Sequence, residues 1–286
     1  MKFLRYVFRA GVQRIFQARL GVFTVIMLLA CWSYNRPLRS FSAEVEYPCS
    51  VWVFPFMLAQ YAFLVLFFFA VIYANADIPF MQYSNMYSLI RAGRKKWGAA
   101  QILILWFRSI VLTVISVLCS IVTLLPRVEL TADWGKLIKT VAMGMMQGSY
   151  DLKYSFFYEV MIRLSPLELM ALTMGITAGV IFFLSLCMFL VSLYGGRTVA
   201  ISGAALYVLL LFFVLNTHPK IRNSLAKLVP AAWLQIARID TPDVGYYWLP
   251  SVPYMSGVLA AGTGILILLI LVRIKHVEFD WNNEDT

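Results

Sequence analysis

Six apolar runs, at 18–34, 51–75, 99–125, 167–194, 199–215 and 254–272, decide most of what this chain can fold into. A helix needs roughly 17–25 predominantly apolar residues to cross a bilayer. Hydrocarbon offers no partner to a bare N–H or C=O, so such runs cross as helices that satisfy their own backbone. Composition agrees: 61% of the 286 residues are hydrophobic, against about 45–50% apolar in soluble domains. The expected fold is an all-α integral membrane protein, a single transmembrane domain over 1–286 with six transmembrane helices.

Ahead of the first run, residues 1–19 have the pattern of an amphipathic interfacial helix. Leu4, Val7, Phe8, Val12, Ile15 and Phe16 share one side, and Lys2, Arg5, Arg9 and Gln13 the other. Such a helix lies with its apolar face in the acyl boundary. Six spans put both termini on one side. Total cations differ little between the two sides, but those close to span ends are denser on the terminal side, which the orientation rule places in the cytoplasm. The net charge of +10 suits a leaflet rich in anionic lipid. Its cations are spread over several loops and form no single stripe, which argues against nucleic acid as a partner.

The loops differ in character. Residues 127–166 and 216–253 are long outer segments. In the first, Trp134, Leu137, Ile138, Val141, Ala142 and Met145 repeat at helical spacing. In the second, Leu225, Leu228, Val229, Ala232, Trp233 and Ile236 do so around Pro230. Tyr246, Tyr247, Trp248 and Tyr254 read as an aromatic belt. Ser165 followed by Pro166 reads as a helix start. Gly195, Gly196 and Arg197 read as a tight turn joining two spans into a hairpin.

The segment 77–98 carries no acid after Asp77 and ends in Arg91, Arg94, Lys95 and Lys96. Met86, Leu89 and Ile90 share one side of a short expected helix, Gly93 stops it, and Trp97 is placed as a headgroup-level anchor. Two readings stand: an ordinary positive-inside loop, or a surface that a cytoplasmic partner could push.

Within the apolar runs few residues carry chemistry. Arg108 is the one strongly charged side chain well inside a run. With no acid expected at its depth, it either serves function or snorkels to the inner headgroups. Phe56, Gln60, Phe63 and Phe67 are placed on one side of the second span, as the lining of a pathway or as packing around one satisfied glutamine. Gly175 and Gly179 form a G-x-x-x-G, and Ser256, Ala260 and Gly264 repeat at steps of four; both permit close helix approach.

Four cysteines and two histidines show no metal-ligand or redox spacing, although a Cys31–Cys49 bridge on the outer side is conceivable. There is no phosphate loop, no H-E-x-x-H and no G-x-S-x-G. The expectation is a chain that is not an enzyme and holds no metal or cofactor of its own.

With these features assembled, the chain resembles a membrane subunit of the type-2 class of ATP-binding-cassette exporters, and more narrowly the short permeases of Gram-positive bacteria. The resemblance rests on the architecture and on three local patterns: R-A-G-R-K-K-W at 91–97, S-P-L-E-L at 165–169, and L-P-S-V-P-Y-M at 249–255. It implies a coupling helix on Ser84, Met86, Leu89, Ile90, Arg91, Arg94, Lys95 and Lys96 that docks on a separate ATPase subunit, which would carry the ATP and Mg. It implies a second permease, the same or a related chain, and a location in the bacterial cytoplasmic membrane among its lipids. It also implies alternating access, with spans two and five lining the path of an amphipathic cargo and the 220–250 region as an outer lid. The long 127–166 excursion departs from the pattern. A membrane sensor or scaffold using the same basic loop is the alternative.

Overall fold

The computed structural model describes residues 18–77, 90, 93–144, 152–239, 241–243 and 245–276. The expected interfacial helix lies outside them apart from Ala18 and Arg19. The fold is that of an α-helical membrane protein. Four described helices are long and apolar enough to cross a membrane: α1 (Ala18–Glu44), α4 (Arg94–Val122), α7 (Pro166–Asn216) and α9 (Val252–Arg273). A shorter apolar helix, α3 (Tyr61–Ala74), packs among them.

Two spans differ from the sequence expectation. The first helix does not stop at residue 34 but runs on to Glu44, through Pro37. Its polar end is held by α4. Asn35 Nδ2 donates to Thr123 Oγ1 at 2.9 Å, and Arg39 donates to the Thr123 carbonyl at 3.4 Å. The second run is not one helix. A five-residue helix α2 (Phe54–Leu58), with Pro55 in its first turn, ends before Gln60, whose backbone is extended. Helix α3 then starts afresh at Tyr61.

The long α7 is two limbs. Gly196 sits at φ 78°, in the left-handed region that glycine enters without steric cost, and breaks the helix. The limbs fold back on each other, because Leu184 and Met188 share a cleft with Ala200 and Ala204. The start of α7 is a capping box. The Ser165 hydroxyl accepts from the Glu168 N–H, and the Glu168 carboxylate accepts from the Ser165 N–H.

Contacts order the bundle end to end. Helices α1 and α4 run in parallel, with Arg19 and Arg108 sharing Asp77 at one level and Asn35 meeting Ser120 and Thr123 at another. The end of α9 returns to the start of α4, where a Cβ on Gly98 would fall 2.8 Å from Ile274 Cδ1.

The two long excursions fold onto the opposite end. In the first, Trp134 and α5 (Lys136–Ala142) bury Leu137, Ile138 and Val141, and the Trp134 indole donates to the carbonyl of Met161 in α6 (Tyr158–Arg163). Strand β1 (Cys49–Ser50) pairs in parallel with β2 (Val128–Glu129). In the second, α8 (Pro219–Leu228) leads into two short 3-10 turns, Pro230–Leu234 and Ile236–Arg238, whose Ala231, Trp233 and Ile236 are fully buried. Pro230 ends the helical spacing there, and Leu228, expected on the apolar face, is 76% exposed. A small hairpin, β3 (Pro242–Asp243) with β4 (Tyr246–Tyr247), precedes α9.

Candidate functional site

The main buried polar cluster gathers at the C-terminal end of α3. A helix end leaves carbonyls without intrahelical partners and carries partial negative charge. Arginines meet both needs here. Arg108, 3% exposed on α4, donates to the Asp77 carboxylate at 3.0 and 3.2 Å and to the Ala74 carbonyl. Arg197, beside the α7 turn, donates through Nε to the Ala76 carbonyl at 2.5 Å. Arg19 lies 3.7 Å from Asp77. Asn75 donates to Ser185 Oγ at 3.0 Å. The start of α1, the end of α3, the middle of α4 and both limbs of α7 therefore meet at one carboxylate, two carbonyls and three guanidinium groups.

Arg108 thus has the acid that the sequence seemed to lack, and it does not snorkel. By sequence the run 51–75 reads as one span, with Asp77 just beyond its end. The break at Gln60 shortens α3 to 14 residues, and its end meets α4 fourteen residues past Arg94, about 21 Å along that helix. Asp77 arrives at the level of Arg108 for that reason. A buried ion pair offsets its desolvation only when further hydrogen bonds satisfy both partners, and the Ala74 carbonyl supplies one.

The other expected pathway residues are not on one helical face. Phe56 belongs to α2, and Gln60 lies in the break. Phe63 and Phe67 belong to α3. The three phenylalanines are fully buried: Phe56 against Trp134 and Phe156, Phe63 edge-on to Tyr34, and Phe67 edge-on to Phe68. Their place here is in the core.

Of the expected coupling residues, Ser84, Met86, Leu89 and Arg91 lie outside the described residues. Ile90 is 66% exposed. Arg94, Lys95 and Lys96 form the exposed first turn of α4 after Gly93, at φ 78°. Arg94 donates to the Lys275 carbonyl at 2.6 Å, which ties this turn to the end of α9. Trp97 is fully buried, with its ring 6.4 Å from Phe189, and is a core residue instead of a headgroup anchor. The α4–α7–α9 junction covers it.

In the G-x-x-x-G, Gly179 alone makes a close approach: a Cβ there would lie 3.2 Å from Leu259 on α9, whereas one on Gly175 would meet open space. Ser256, Ala260 and Gly264 face outward. Cys31 and Cys49 are both free.

The polar anchors at the end covered by the two excursions carry no advance signal in the expected spans. Tyr154 donates to Asn35 Oδ1 at 2.9 Å. Gln235 donates to the Ala59 carbonyl at 3.0 Å, just ahead of the Gln60 break, and accepts from the Trp248 indole at 2.8 Å. Trp248 lies between Arg222 and Arg238, 3.5 and 4.6 Å from its ring, and so belongs to a packed strut more than to an exposed belt. A lone glutamine in the apolar stretch 229–237 was the available signal. Comparison with protein-family models, with curated proteins and with solved structures gives no match.

Proposed function

We propose that this chain is the membrane-spanning permease subunit of an ATP-driven exporter, moving an amphipathic cargo across the bacterial cytoplasmic membrane by alternating access coupled to separate ATPase subunits. In this reading α1, the α2–α3 run, α4, the two limbs of α7 and α9 make six crossings with both termini cytoplasmic. One observation carries it. The exposed cations Arg94, Lys95, Lys96 and Lys275 come together at one end of the bundle, where the start of α4 meets the end of α9. The folded excursions occupy the opposite end. An ATPase docked there would push on the first turn of α4, and that turn leads, along one rigid helix, to Arg108 and the Asp77 cluster. The buried 230–238 segment at the far end suits an outer gate.

A second reading is a sensor or scaffold without cargo, which the closed packing of Phe56, Phe63 and Phe67 favours. Purification in mild detergent separates the two. The exporter reading expects an ATPase subunit in roughly equal amount, lost when Lys95 and Lys96 are both changed to Glu. These two are chosen because Arg94 also braces α9. A chain that purifies alone even after crosslinking would leave the scaffold reading.

A further inference from the structure

A cleft of about 170 Å³ opens between the two limbs of α7. The first limb contributes Phe183, Cys187 and Met188, and the second Ala200, Gly203 and Tyr207. The Tyr207 hydroxyl is already engaged, accepting from the Ala231 N–H at 3.0 Å. Apart from it and one thiol the lining carries no polar side chain. Water in such a space needs two to four polar partners, and these walls do not provide them. The occupant must be apolar.

The mouth says where that occupant comes from. Val191, which lines the cleft, is an exposed aliphatic side chain on a helix long and apolar enough to cross a membrane. The cleft therefore opens to hydrocarbon, whose molecules are acyl chains. Small residues on the second limb give it the form of a trough, and a Cβ on Gly203 would meet nothing within 4 Å.

The lower end selects a headgroup. Arg197 precedes Ala200 by one helical turn, and Tyr194 follows Val191 by one turn, about 5 Å in each case. Arg273 stacks on the Tyr194 ring at 4.3 Å. Its buried Nε has no hydrogen-bond partner among the described residues. Arg197 spends its Nε on the Ala76 carbonyl, and among those residues Arg273 forms no ion pair with an acid.

We propose that this cleft holds one acyl chain of an anionic phospholipid, with the headgroup against Arg273 beside the α7 turn. The site requires only that the chain lie in a bilayer and does not depend on transport.

The test uses the full chain in nanodiscs carrying trace phosphatidylglycerol or phosphatidylcholine with a diazirine on one acyl chain. Peptides labelled by light are then mapped by mass spectrometry. The expected result is labelling concentrated on residues 183–207, several-fold stronger for phosphatidylglycerol. Gly203→Phe, which fills the trough, should lower it at least threefold. Arg273→Gln should bring phosphatidylglycerol down to the phosphatidylcholine level. Labelling spread evenly over the exposed faces of α1, α7 and α9, or kept in Gly203→Phe, would overturn the proposal. So would a short bifunctional maleimide joining Cys187 of two copies, which would assign the cleft to an interface between chains.

Discussion

The Arg108 guanidinium, on α4, holds both carboxylate oxygens of Asp77, three residues beyond the end of α3, at 3.0 and 3.2 Å. Both side chains are at most 9% exposed. Removing one partner from a buried pair leaves an uncompensated charge and costs about 3–5 kcal/mol. Asp77→Asn should be the more damaging single change, because it strands Arg19 as well as Arg108. Arg108→Lys keeps a charge but loses the planar fork that reaches carboxylate and carbonyl together, so it should retain part of the stability. Replacing the pair by leucines should recover more than half of the loss. Thermal unfolding in detergent measures all three variants. Single variants within about 1 kcal/mol of the parent would show that the pair does not brace the bundle, since this is far below the cost of breaking a buried pair.

Gln235 gives a second prediction, at the other end. Its side chain donates to the Ala59 carbonyl and accepts from the Trp248 indole. Gln235→Leu has similar bulk but leaves a buried carbonyl and a partly buried N–H without partners, at about 1–3 kcal/mol each. The loss should appear locally first, as faster hydrogen exchange across 230–238 and at the α2–α3 break. Gln60→Leu, at the half-buried break itself, should leave that exchange unchanged. Equal effects from the two substitutions would mean that the break is not anchored by Gln235.

These two anchors mark the boundary of what sequence could tell. Long apolar runs fixed the membrane class, because lipid tolerates only backbone that satisfies itself. The α7 start and its glycine turn were legible because Ser165, Pro166 and Gly196 act through local chemistry. The partner of Arg108 was not legible. It depends on where α3 ends in space, which depends in turn on a break that Gln60 does not announce. The polar tail of α1 looked like a loop for a related reason: Asn35 and Arg39 are helical because α4, 85 or so residues later, supplies their partners. Burial of Trp97, expected as a headgroup-level anchor, was not legible either, since the α9 end that helps to cover it lies far along the chain.

The G-x-x-x-G offers a contrast within one motif. Gly179 faces α9, with Leu259 Cδ1 3.2 Å from where a Cβ would sit, while Gly175 faces open space. Gly175→Leu should therefore be tolerated within about 0.5 kcal/mol, as outward substitutions usually are. Gly179→Leu should push α7 and α9 apart and cost about 1–3 kcal/mol, the usual range for overpacking. Paired melting curves decide it. If Gly175→Leu proved the more harmful, or broke a complex between two copies, the outward glycine would be a contact with a partner.

Cysteine chemistry gives the last prediction. Cys49 lies between α1 and α2, buried within the β1–β2 pairing, and its burial pushes the thiol up to about 12. Thiolate is the reactive form, so at pH 8 Cys49 should resist maleimide while the fold is intact. Its neighbour Tyr154, also held well above the usual tyrosine range by burial, should likewise stay neutral. The sign of the linkage follows. The folded state keeps a proton on Cys49 that the unfolded chain, at about 9, releases, so this contribution is complete below pH 9 and fades between 9 and 12. Cys49→Ala removes the titration and should flatten part of the fall in melting temperature over that window. Labelling of Cys49 at pH 8 at the rate of a free thiol, without unfolding, would show that the β1–β2 cover opens in the native state.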